Sequence, residues 1–443
     1  MTVAVFLVSL CGAMALGVPV AFSLIVCGLA LMLWLGVFDS QTVALKMIEG
    51  ADNFQLLAVP FFLLAGELMN AGGLSKRIVN FAVAFVGHFH GGLGYVAIFA
   101  SIIMASLSGS AAADTAAIGA ILIPMMRQAG YNVPRSAGLI SAGGIIAPVI
   151  PPSIGFIIFG VAANVSITQL FLAGIFPGLL MGLALIVAWA IVARREKVKV
   201  YERQPWSVRL ASLKDGFFAL MMPVIILGCI RFGWATPTEA AVFAAVYAML
   251  VGLFIYRELK IAHLYHVFLM AAKMTAAVMF LVAAALISAW LVTQANIPAE
   301  LGAVLEPLKD NPTILLLVIM ILVVVVGTAL DFAPTVLILT PIVMPIIREA
   351  GIDPVYFGVL FIMNNAIGLI TPPVGIVLNV VCGVARVPMG AVIRGVTPFL
   401  VAQTVVLFLL VFLPQWVLAP LQWLRDRISF LEMLARMLGF GSA

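Results

Sequence analysis

The chain has 443 residues, of which 64% are hydrophobic, and its 23 Lys and Arg against 18 Asp and Glu give a net charge of +5. Soluble domains use about 25% charged residues, and the 9% found here excludes a water-soluble fold. Charge-free stretches such as 3–37 and 137–193 exceed the roughly 20 residues that a membrane span needs. We therefore predict an all-α polytopic membrane protein. Residues 1–18 lack the basic start of a signal peptide and are expected to form a retained first helix.

A small polar segment interrupts the apolar sequence of the first half. It lies within 76–130, and the apolar run 94–107 before it is too short for a full crossing, which favours a re-entrant helical hairpin. The segment from Ser106 to Thr115 is rich in Ser and Gly and contains Asp114. Unpaired backbone and an acid at membrane depth persist where they line a cavity or bind something. The alternative is close packing of small residues, with Asp114 as a helix cap.

The next helix of the first half is predicted to break at paired prolines. The segment 143–155 contains Pro148, Pro151 and Pro152, followed by Ser153. Successive prolines remove N–H donors and clash with the preceding turn, so they open the helix. The freed carbonyls suit a small cation such as Na⁺, and the N–H groups of the restarting half-helix suit an anion. A pair of purely structural kinks is the alternative, but kinks require no adjacent polar cluster.

A basic segment separates the two halves. Seven Lys and Arg residues fall between 194 and 214. Positively charged loops stay on the cytoplasmic side of a membrane, so we predict a cytoplasmic loop over 196–216. Because topology accounts for these charges, they do not indicate a nucleic-acid partner.

The second half contains a counterpart of both features. A second hairpin is predicted within 300–350, with Gly327, Thr328 and Asp331 at its tip. A second broken helix follows at 364–375, which begins with two asparagines and continues to Thr-Pro-Pro-Val-Gly. Two unrelated helix caps at corresponding places would be a coincidence, whereas two half-sites of one binding site would not.

The two halves repeat one another in sequence. Pro-Met-Met-Arg-Gln-Ala-Gly at 124–130 resembles Pro-Ile-Ile-Arg-Glu-Ala-Gly at 345–351, and the two Pro-Pro pairs are separated by the same 221 residues. We therefore divide the chain into a first repeat at 1–195 and a second at 217–420. Repeats of this size are typical of secondary transporters. We expect the second repeat to be inverted, because inversion brings two matched half-sites together at the membrane midplane.

The tail at 421–443 has a different character. Its apolar residues recur at helical spacing, with Arg and Glu on the other side and tryptophans nearby. This pattern predicts an amphipathic helix that lies at the membrane surface in contact with lipid. Binding to a partner protein is the alternative.

A few isolated polar residues stand outside the repeated motifs. His88 and His90 resemble a metal-binding pair, but no Cys, Asp or Glu is near them in the sequence. A loop end at the membrane surface is the better interpretation. Glu239 follows a Pro-Thr pair, which predicts a helix start.

The tips and breaks supply two sets of candidate ligands. Oxygen-rich positions at the tips and before the breaks suit Na⁺. The candidate Na⁺ positions are Ser106, Ser108, Gly109, Gly144, Pro148, Gly327, Thr328, Asp331, Gly368 and Thr371. Polar positions around the restarting half-helices suit an anionic substrate. The candidate substrate positions are Ser110, Asp114, Ser153, Asn364, Asn365, Pro372, Pro373 and Gly375.

The order of these motifs resembles the large membrane subunit of TRAP transporters, the tripartite ATP-independent periplasmic family of bacteria and archaea. The resemblance covers about residues 1–420 and leaves the tail aside. The motifs that carry it are Ser108-Gly-Ser-Ala-Ala-Ala-Asp114, Pro151-Pro152-Ser153, Pro237-Thr238-Glu239, Leu330-Asp331-Phe-Ala-Pro334 and the segment from Asn364 to Gly375.

The resemblance implies a large permease subunit in the bacterial inner membrane. Such a subunit works with a small four-helix membrane subunit and with a soluble periplasmic binding protein that delivers the substrate. Uptake of an organic acid, such as a C4-dicarboxylate or sialic acid, is driven by a Na⁺ gradient without ATP. The implied mechanism is an elevator, in which the hairpins and broken helices slide against a scaffold of the remaining helices. The implied Na⁺ sites are the hairpin tips and broken helices.

Two other functions fit part of the pattern. A stand-alone ion-coupled carboxylate carrier or antiporter of the same fold would need no binding protein. An intramembrane aspartyl hydrolase would use Asp114 and Asp331, but Asp331 follows Thr-Ala-Leu rather than the Gly-x-Gly usual in such enzymes. The chain also lacks the Gly-x-x-x-x-Gly-Lys-Ser/Thr loop that binds nucleotide phosphates. We therefore expect ion coupling, with no nucleotide, to supply the energy.

Overall fold

The computed structural model describes residues 2–194, 202–309 and 311–423, and over these residues the chain is helical, without strands. The helices in chain order are α1 Thr2–Ala15, α2 Val20–Leu35, α3 Ser40–Ala51, α4 Ala58–Ala71, α5 Leu74–Val86, α6 Gly92–Ser108, α7 Ala111–Gln128, α8 Val133–Gly144, α9 Ile154–Ala163, α10 Ile167–Ala193, α11 Trp206–Arg231, α12 Pro237–Leu250, α13 Ile261–Gln294, α14 Ile297–Lys309, α15 Pro312–Ala329, α16 Phe332–Glu349, α17 Pro354–Gly368, α18 Ile376–Ala385 and α19 Met389–Phe412. A 3-10 turn, Phe54–Leu57, precedes α4, and a π-helical turn, Val251–Ile255, follows α12. The predicted all-α class is confirmed.

Many of these helices suit a membrane. Among the described residues, seven helical stretches are long and apolar enough to cross a bilayer, and seven shorter apolar helices accompany them. The long stretches are Phe54–Ala71, Ile167–Ala193, Trp206–Arg231, Pro237–Ile255, Ile261–Gln294, Phe332–Glu349 and Met389–Phe412. The chain is therefore a multi-pass membrane protein.

Each half contains the predicted helical hairpin. In the first half, α6 and α7 pack against each other and are joined by a short turn at Gly109. In the second half, α15 and α16 are joined through Leu330 and Asp331. Both outgoing helices contain proline, at Pro124 in α7 and at two positions in α16.

Each half also contains the predicted broken helix. In the first, α8 ends at Gly144 and α9 begins at Ile154, with the Pro-Pro pair in the irregular stretch between them. In the second, α17 ends at Gly368 and α18 begins at Ile376. Proline cannot donate to a helix, and these interruptions fall where the sequence places paired prolines.

Two arginine contacts show that the repeats are inverted. Nη2 of Arg127, at the open end of the first hairpin, donates to the carbonyl oxygen of Ala385 at 2.7 Å. In the same way, Nη2 of Arg348 donates to the carbonyl oxygen of Ala163 at 2.7 Å. Ala163 and Ala385 are the last residues of the half-helices α9 and α18, which lead away from the membrane side where their own hairpin opens. Each arginine reaches the opposite repeat's half-helix only if the repeats run antiparallel, so the expected inversion is confirmed.

The basic segment is not a loop throughout. Residues 206–216 form the first turns of α11, which starts after Pro205. Arg209 is buried there, with its guanidinium near the rings of Trp206 and Phe85. Proline fixes a helix-compatible backbone at such a start, and the stacked rings hold the arginine against the protein. The segment 196–216, predicted as a basic cytoplasmic loop, therefore includes the start of α11 from Trp206, whereas 195–201 lie outside the described residues.

The isolated polar residues Glu239, His88 and His90 lie at a helix start or in a turn. Glu239 begins α12 as predicted, in a capping box in which the Thr236 hydroxyl accepts from Glu239 N and the Glu239 carboxylate accepts from Thr236 N. His88 and His90 lie in the turn between α5 and α6, and no group of three His, Cys, Asp or Glu able to hold a metal occurs among the described residues. The amphipathic tail lies outside the described residues beyond Trp423.

Candidate transport site

The tip of the first hairpin is held together by its own polar groups. Gly109 adopts a left-handed conformation at φ 62°, which ends α6 and reverses the chain. Ser110 caps α7 by accepting from Ala113 N, and Ser110 N donates to Oγ of Ser108 at 3.1 Å. Oγ of Ser108 in turn donates to Oδ1 of Asp114, which is buried. The tip is therefore a closed polar turn inside the apolar interior.

The first break lies entirely in the protein interior. After α8 the backbone tightens into i to i+3 bonds, so that Ala147 N donates to Gly144 O at 3.1 Å. Ser153 spans the break, because its hydroxyl donates to the carbonyl of Pro148 and accepts from Phe156 N, capping α9. The Pro-Pro pair is buried, and its peptide bond is cis.

The first tip and the first break are in direct contact. A β-carbon added at Gly109 would lie 3.0 Å from the Pro152 carbonyl oxygen and 3.1 Å from Ile154 N. Deeper in the hairpin, a β-carbon at Gly144 would collide with Oγ1 of Thr115. The predicted pairing of this tip with this break is therefore observed.

Three side-chain oxygens around this contact are buried without a hydrogen-bond partner among the described residues. They are Oδ2 of Asp114, Oγ1 of Thr115 and Oγ of Ser101. Ser101 adjoins Gly143 as Thr115 adjoins Gly144, so hydroxyls from both arms of the hairpin line the end of α8. Ser106 is not in this set, because its hydroxyl donates to Ile103 O in its own helix. Buried oxygens without partners are costly in an apolar interior, which suggests that a ligand uses them.

The second tip is built differently from the first. Gly327 and Thr328 were expected in the turn, but α15 continues to Ala329, and the Thr328 hydroxyl donates to Val325 O within the helix at 2.8 Å. Asp331 is exposed and caps α16 by accepting from Phe332 N at 2.7 Å. The polar cap at this tip is a carboxylate where the first tip has the hydroxyl of Ser110.

The two acids of the tips do not occupy matched places, contrary to the sequence interpretation. Asp331 is the cap of α16, whereas Asp114 lies inside the first turn of α7 and is buried. With the 221-residue offset, Ser110 is the counterpart of Asp331 and Thr335 is the counterpart of Asp114. The alternative that Asp114 is a helix cap is also wrong, because Ser110 fills that role.

The second break is organised by two buried asparagines. Nδ2 of Asn364 donates to Met320 O at 2.6 Å, and Nδ2 of Asn365 donates to Phe332 O at 2.8 Å. Each amide thus ties the broken helix to one arm of the second hairpin. The Oδ1 atoms of both residues are buried and have no hydrogen-bond partner in the described part of the chain. The hydroxyl of Thr371 is used within its own helix end, donating to Ile367 O at 2.8 Å.

The second tip and the second break are also in contact. A β-carbon at Gly327 would lie 3.3 Å from Oδ1 of Asn365, and one at Gly368 would lie 3.0 Å from the carbonyl group of Gly327. The carbonyl of Gly327, the carboxamide of Asn365 and the end of α17 therefore form a compact oxygen-bearing cluster. Pro372 is half-buried and Pro373 is exposed, in contrast to the buried first Pro-Pro pair.

The two half-sites meet at Phe332. A β-carbon at Gly155, directly after the first break, would lie 2.5 Å from Cζ of the Phe332 ring, which follows the second tip. The structure thus brings the first break together with the second tip. Sequence reasoning missed Phe332, and it used the Arg-x-Ala-Gly motifs of Arg127 and Arg348 only as markers of the repeat.

Two inverted repeats, each with a hairpin tip against a broken helix and buried unpaired oxygens, define a secondary transporter of the membrane. Residues 7–416 match the family described as tripartite ATP-independent periplasmic transporter, DctM component. The chain therefore belongs to this family of TRAP transporter large permease subunits, and the TRAP resemblance seen in the sequence is confirmed.

Three comparisons illustrate the match. The 2,3-diketo-L-gulonate TRAP transporter large permease protein YiaN of Escherichia coli is 53% identical over 96% of this chain and 100% of its own length. The sialic acid TRAP transporter large permease protein SiaM of Vibrio cholerae is 40% identical over 92% of this chain and 95% of its own. The crystal structure of the Alcanivorax borkumensis transporter YdaH superposes with a TM-score of 0.64 at 14% identity, over 87% of this chain and 91% of that chain, which shows the same fold.

YiaN and SiaM are named as transporter permease proteins, and the chain is a transporter subunit rather than an enzyme. The positions of the two aspartates also argue against the intramembrane aspartyl hydrolase considered above. Asp331 is engaged as an exposed helix cap, while Asp114 is bonded to Ser108 in the buried first tip.

Proposed function

We propose that this subunit carries out Na⁺-coupled uptake of an organic acid by an elevator mechanism in the bacterial inner membrane. In this proposal a periplasmic binding protein delivers the acid, and a small four-helix membrane subunit completes the transporter. The observation that carries the proposal is the pair of inverted tip-and-break contacts, each of which holds buried side-chain oxygens without partners.

The first oxygen cluster supports a cation at the end of α8. Oδ2 of Asp114 and Oγ1 of Thr115 are buried and unpaired, and Thr115 lies directly against Gly144. An anionic oxygen beside neutral hydroxyls and helix-end carbonyls is a donor set that suits Na⁺ in transporters of this architecture. The negative end of the α8 dipole adds to the attraction.

The second cluster supports a cation at the end of α17. Its oxygens are Oδ1 of Asn365 and the carbonyl of Gly327, which face the backbone of Gly368. Every oxygen in this set is neutral, whereas the first cluster contains a carboxylate. We therefore propose that the first cluster binds its ion more tightly and that the second depends more on the helix dipole.

The acid group of the substrate is proposed to bind at the start of α18. This half-helix begins after Gly375 without a side-chain cap. Val377 N donates to Leu369 O, which leaves the N–H groups of Ile376 and Leu378 in its first turn for an anion. The residues before it, Pro373 and Val374, are exposed. By contrast, α9 is already capped by Ser153. Known relatives named for 2,3-diketo-L-gulonate and sialic acid support a carboxylate as the transported group.

A crevice between two groups of helices supports the elevator mechanism. Its volume is about 710 Å³, and residues of α9 and α16 line one side while residues of α3 and α13 line the other. Lys46 and Glu49 line one wall, and Arg348 and Glu349 line the other. A crevice with charged side chains on both walls, along the boundary of the hairpin and broken-helix elements, supports sliding at this boundary.

The decisive experiment compares two isosteric variants in proteoliposomes that contain the large and small subunits, with binding protein and radiolabelled organic acids outside. Thr115→Val removes a buried hydroxyl that has no partner, whereas Thr340→Val removes a buried hydroxyl that donates to Val336 O. If Thr115 ligates Na⁺, the first variant requires several-fold more Na⁺ for half-maximal uptake and the second does not.

Three results would oppose parts of the proposal. Uptake that is independent of a Na⁺ gradient in the wild type would refute ion coupling. Robust uptake by the large subunit alone, without binding protein, would favour the stand-alone carrier. Removing an unpaired hydroxyl costs little by itself, so a changed Na⁺ requirement in Thr115→Val would report on ion binding. An unchanged Na⁺ requirement in this variant would exclude the first cluster as an ion site.

A further inference from the structure

An apolar groove runs along the outer surface of the protein between α10 and α19. Its volume is about 450 Å³, and its lining carries almost no polar surface. The lining residues on α10 run from Leu180 to Val192, and those on α19 run from Pro398 to Val406. Its walls face outward, since Leu183 and Val401 are more than half exposed, at 54% and 56%.

The groove has the length of one membrane leaflet. At about 1.5 Å per residue, the stretch from Leu180 to Val192 measures about 18 Å. The hydrocarbon core of a bilayer is about 30 Å thick, so one leaflet occupies about 15 Å. The groove ends near Ala193, where α10 meets the basic segment, and positive segments mark the cytoplasmic side. It therefore lies in the cytoplasmic leaflet.

Both walls of the groove end in an exposed arginine at the cytoplasmic side. Arg194 follows Ile191 by three residues and Val187 by seven, so it continues the lining face of α10. Arg394 precedes Pro398 by four residues and Val401 by seven, so it continues the lining face of α19. Neither arginine forms an ion pair with any residue that the structure describes.

A second arginine lies beside Arg394. Arg135, at the start of α8, lines a cavity of about 200 Å³ together with Arg394, Asn132 and Gly395. The mouth of the groove, which is its cytoplasmic end, is cationic through Arg194 and Arg394, while the groove itself is apolar. This arrangement is the complement of an anionic phospholipid, whose acyl chain is apolar and whose phosphate is negative.

We propose that this groove binds an anionic phospholipid of the cytoplasmic leaflet, with an acyl chain between α10 and α19 and the phosphate at Arg194 and Arg394. A protein subunit is disfavoured as the occupant, because the groove walls offer it no polar partner and the mouth of the groove is cationic. The lipid would hold α10, which packs over the first break through Gly174 and Gly178, against α19.

The test measures lipid retained by the purified full chain in detergent, using native mass spectrometry. The chain is titrated with phosphatidylglycerol and, in parallel, with phosphatidylcholine. The wild type is expected to prefer phosphatidylglycerol. The Arg194→Gln/Arg394→Gln variant is expected to lose about fivefold of that preference per arginine, which corresponds to about 1 kcal/mol each. The matched control is Arg203→Gln/Lys214→Gln, which removes the same charge from exposed positions that do not line the groove.

A groove-filling variant and a crosslinking measurement complete the test. Ala402→Trp places a large side chain in the groove while both arginines remain, and it should reduce retention of both lipids. Equal loss of preference in the control, or unchanged retention in Ala402→Trp, would overturn the proposal. A photoreactive residue at Val401 in native membranes should crosslink to phospholipid, and a crosslink to a protein instead would assign the groove to a subunit.

Discussion

Replacing Gly109 with alanine tests the contact between the first hairpin tip and the first break. Two costs arise. The left-handed backbone at φ 62° disfavours any β-carbon by about 1–2 kcal/mol. In addition, the new atom would lie 3.0 Å from Pro152 O, 3.1 Å from Ile154 N and 3.3 Å from Ser153 Cα, all backbone positions that cannot rotate away. Overpacking of this kind costs about 1–3 kcal/mol.

Gly130 provides the matched control for this variant. It also has a left-handed backbone, at φ 82°, but a β-carbon there would meet nothing within 4 Å. Gly130→Ala therefore carries the first cost without the second. If the overpacking cost of about 1–3 kcal/mol destabilises the ion-bound state, the Na⁺ concentration for half-maximal uptake rises about 5- to 150-fold in Gly109→Ala relative to Gly130→Ala.

The assay is Na⁺-dependent uptake in proteoliposomes, with the amount of folded protein checked by size-exclusion chromatography and thermal unfolding. Equal Na⁺ requirements in Gly109→Ala and Gly130→Ala, with both proteins folded, would refute the reasoning. That result would mean that the tip and the break need not touch for the ion to bind. A Gly109→Ala protein that unfolds at lower temperature but keeps the wild-type Na⁺ requirement would lead to the same conclusion.

Four further variants test the remaining contacts. Gly368→Ala pushes a β-carbon to 3.0 Å from the backbone of Gly327 and should raise the Na⁺ requirement, whereas Gly383→Ala, with nothing within 4 Å, should behave as wild type in the same uptake assay. Asp114→Asn keeps the size of the side chain but removes its charge, so Na⁺ affinity measured by thermal shift should fall by at least tenfold, and an unchanged shift would exclude it as a ligand. Arg127→Met and Arg348→Met each remove a charge-assisted hydrogen bond between repeats, which contributes about 1.5–3 kcal/mol, so each should lower the unfolding temperature, and a temperature equal to wild type would show that the bond is not stabilising.

Much of the fold could be predicted because its causes are local. Paired prolines break a helix wherever they occur, so the interruptions after Gly144 and Gly368 follow from the residues themselves. A turn of Ser and Gly between apolar runs likewise gives the first hairpin tip. The inversion was expected from the type of repeat, but its proof required two contacts, from Arg127 to Ala385 and from Arg348 to Ala163, that join distant parts of the chain.

The details of the candidate site depend on contacts between distant segments, and these could not be predicted. The sequence interpretation paired Asp114 with Asp331 because both are acids near a tip. The two hairpins turn at matched positions, since α6 ends at Ser108 and α15 at Ala329, but the cap position holds Ser110 in the first repeat and Asp331 in the second. Thr115 was overlooked because only the packing of α7 against α8 places its hydroxyl beside Gly144.

The two half-sites have the same connectivity, but the first break is buried and the second is partly exposed. This difference arises from the helix that follows each break. After the first break, α10 approaches closely through Gly174 and Gly178, where added β-carbons would collide with Val149 O and the Ile150 side chain. A glycine face permits this approach, so the first break is covered. At the 221-residue offset the counterparts on α19 are Gly395, which lies against the backbone of Pro134, and Phe399, which lies near Trp189 of α10. Pro373 of the second break stays exposed. A covered site with a carboxylate favours holding an ion through transport, whereas the exposed Pro373 and Val374, before a helix without a side-chain cap, favour exchange of a substrate. Under the proposed function, the two inverted repeats thus provide one half-site for an ion alone and one half-site for an ion together with the acid.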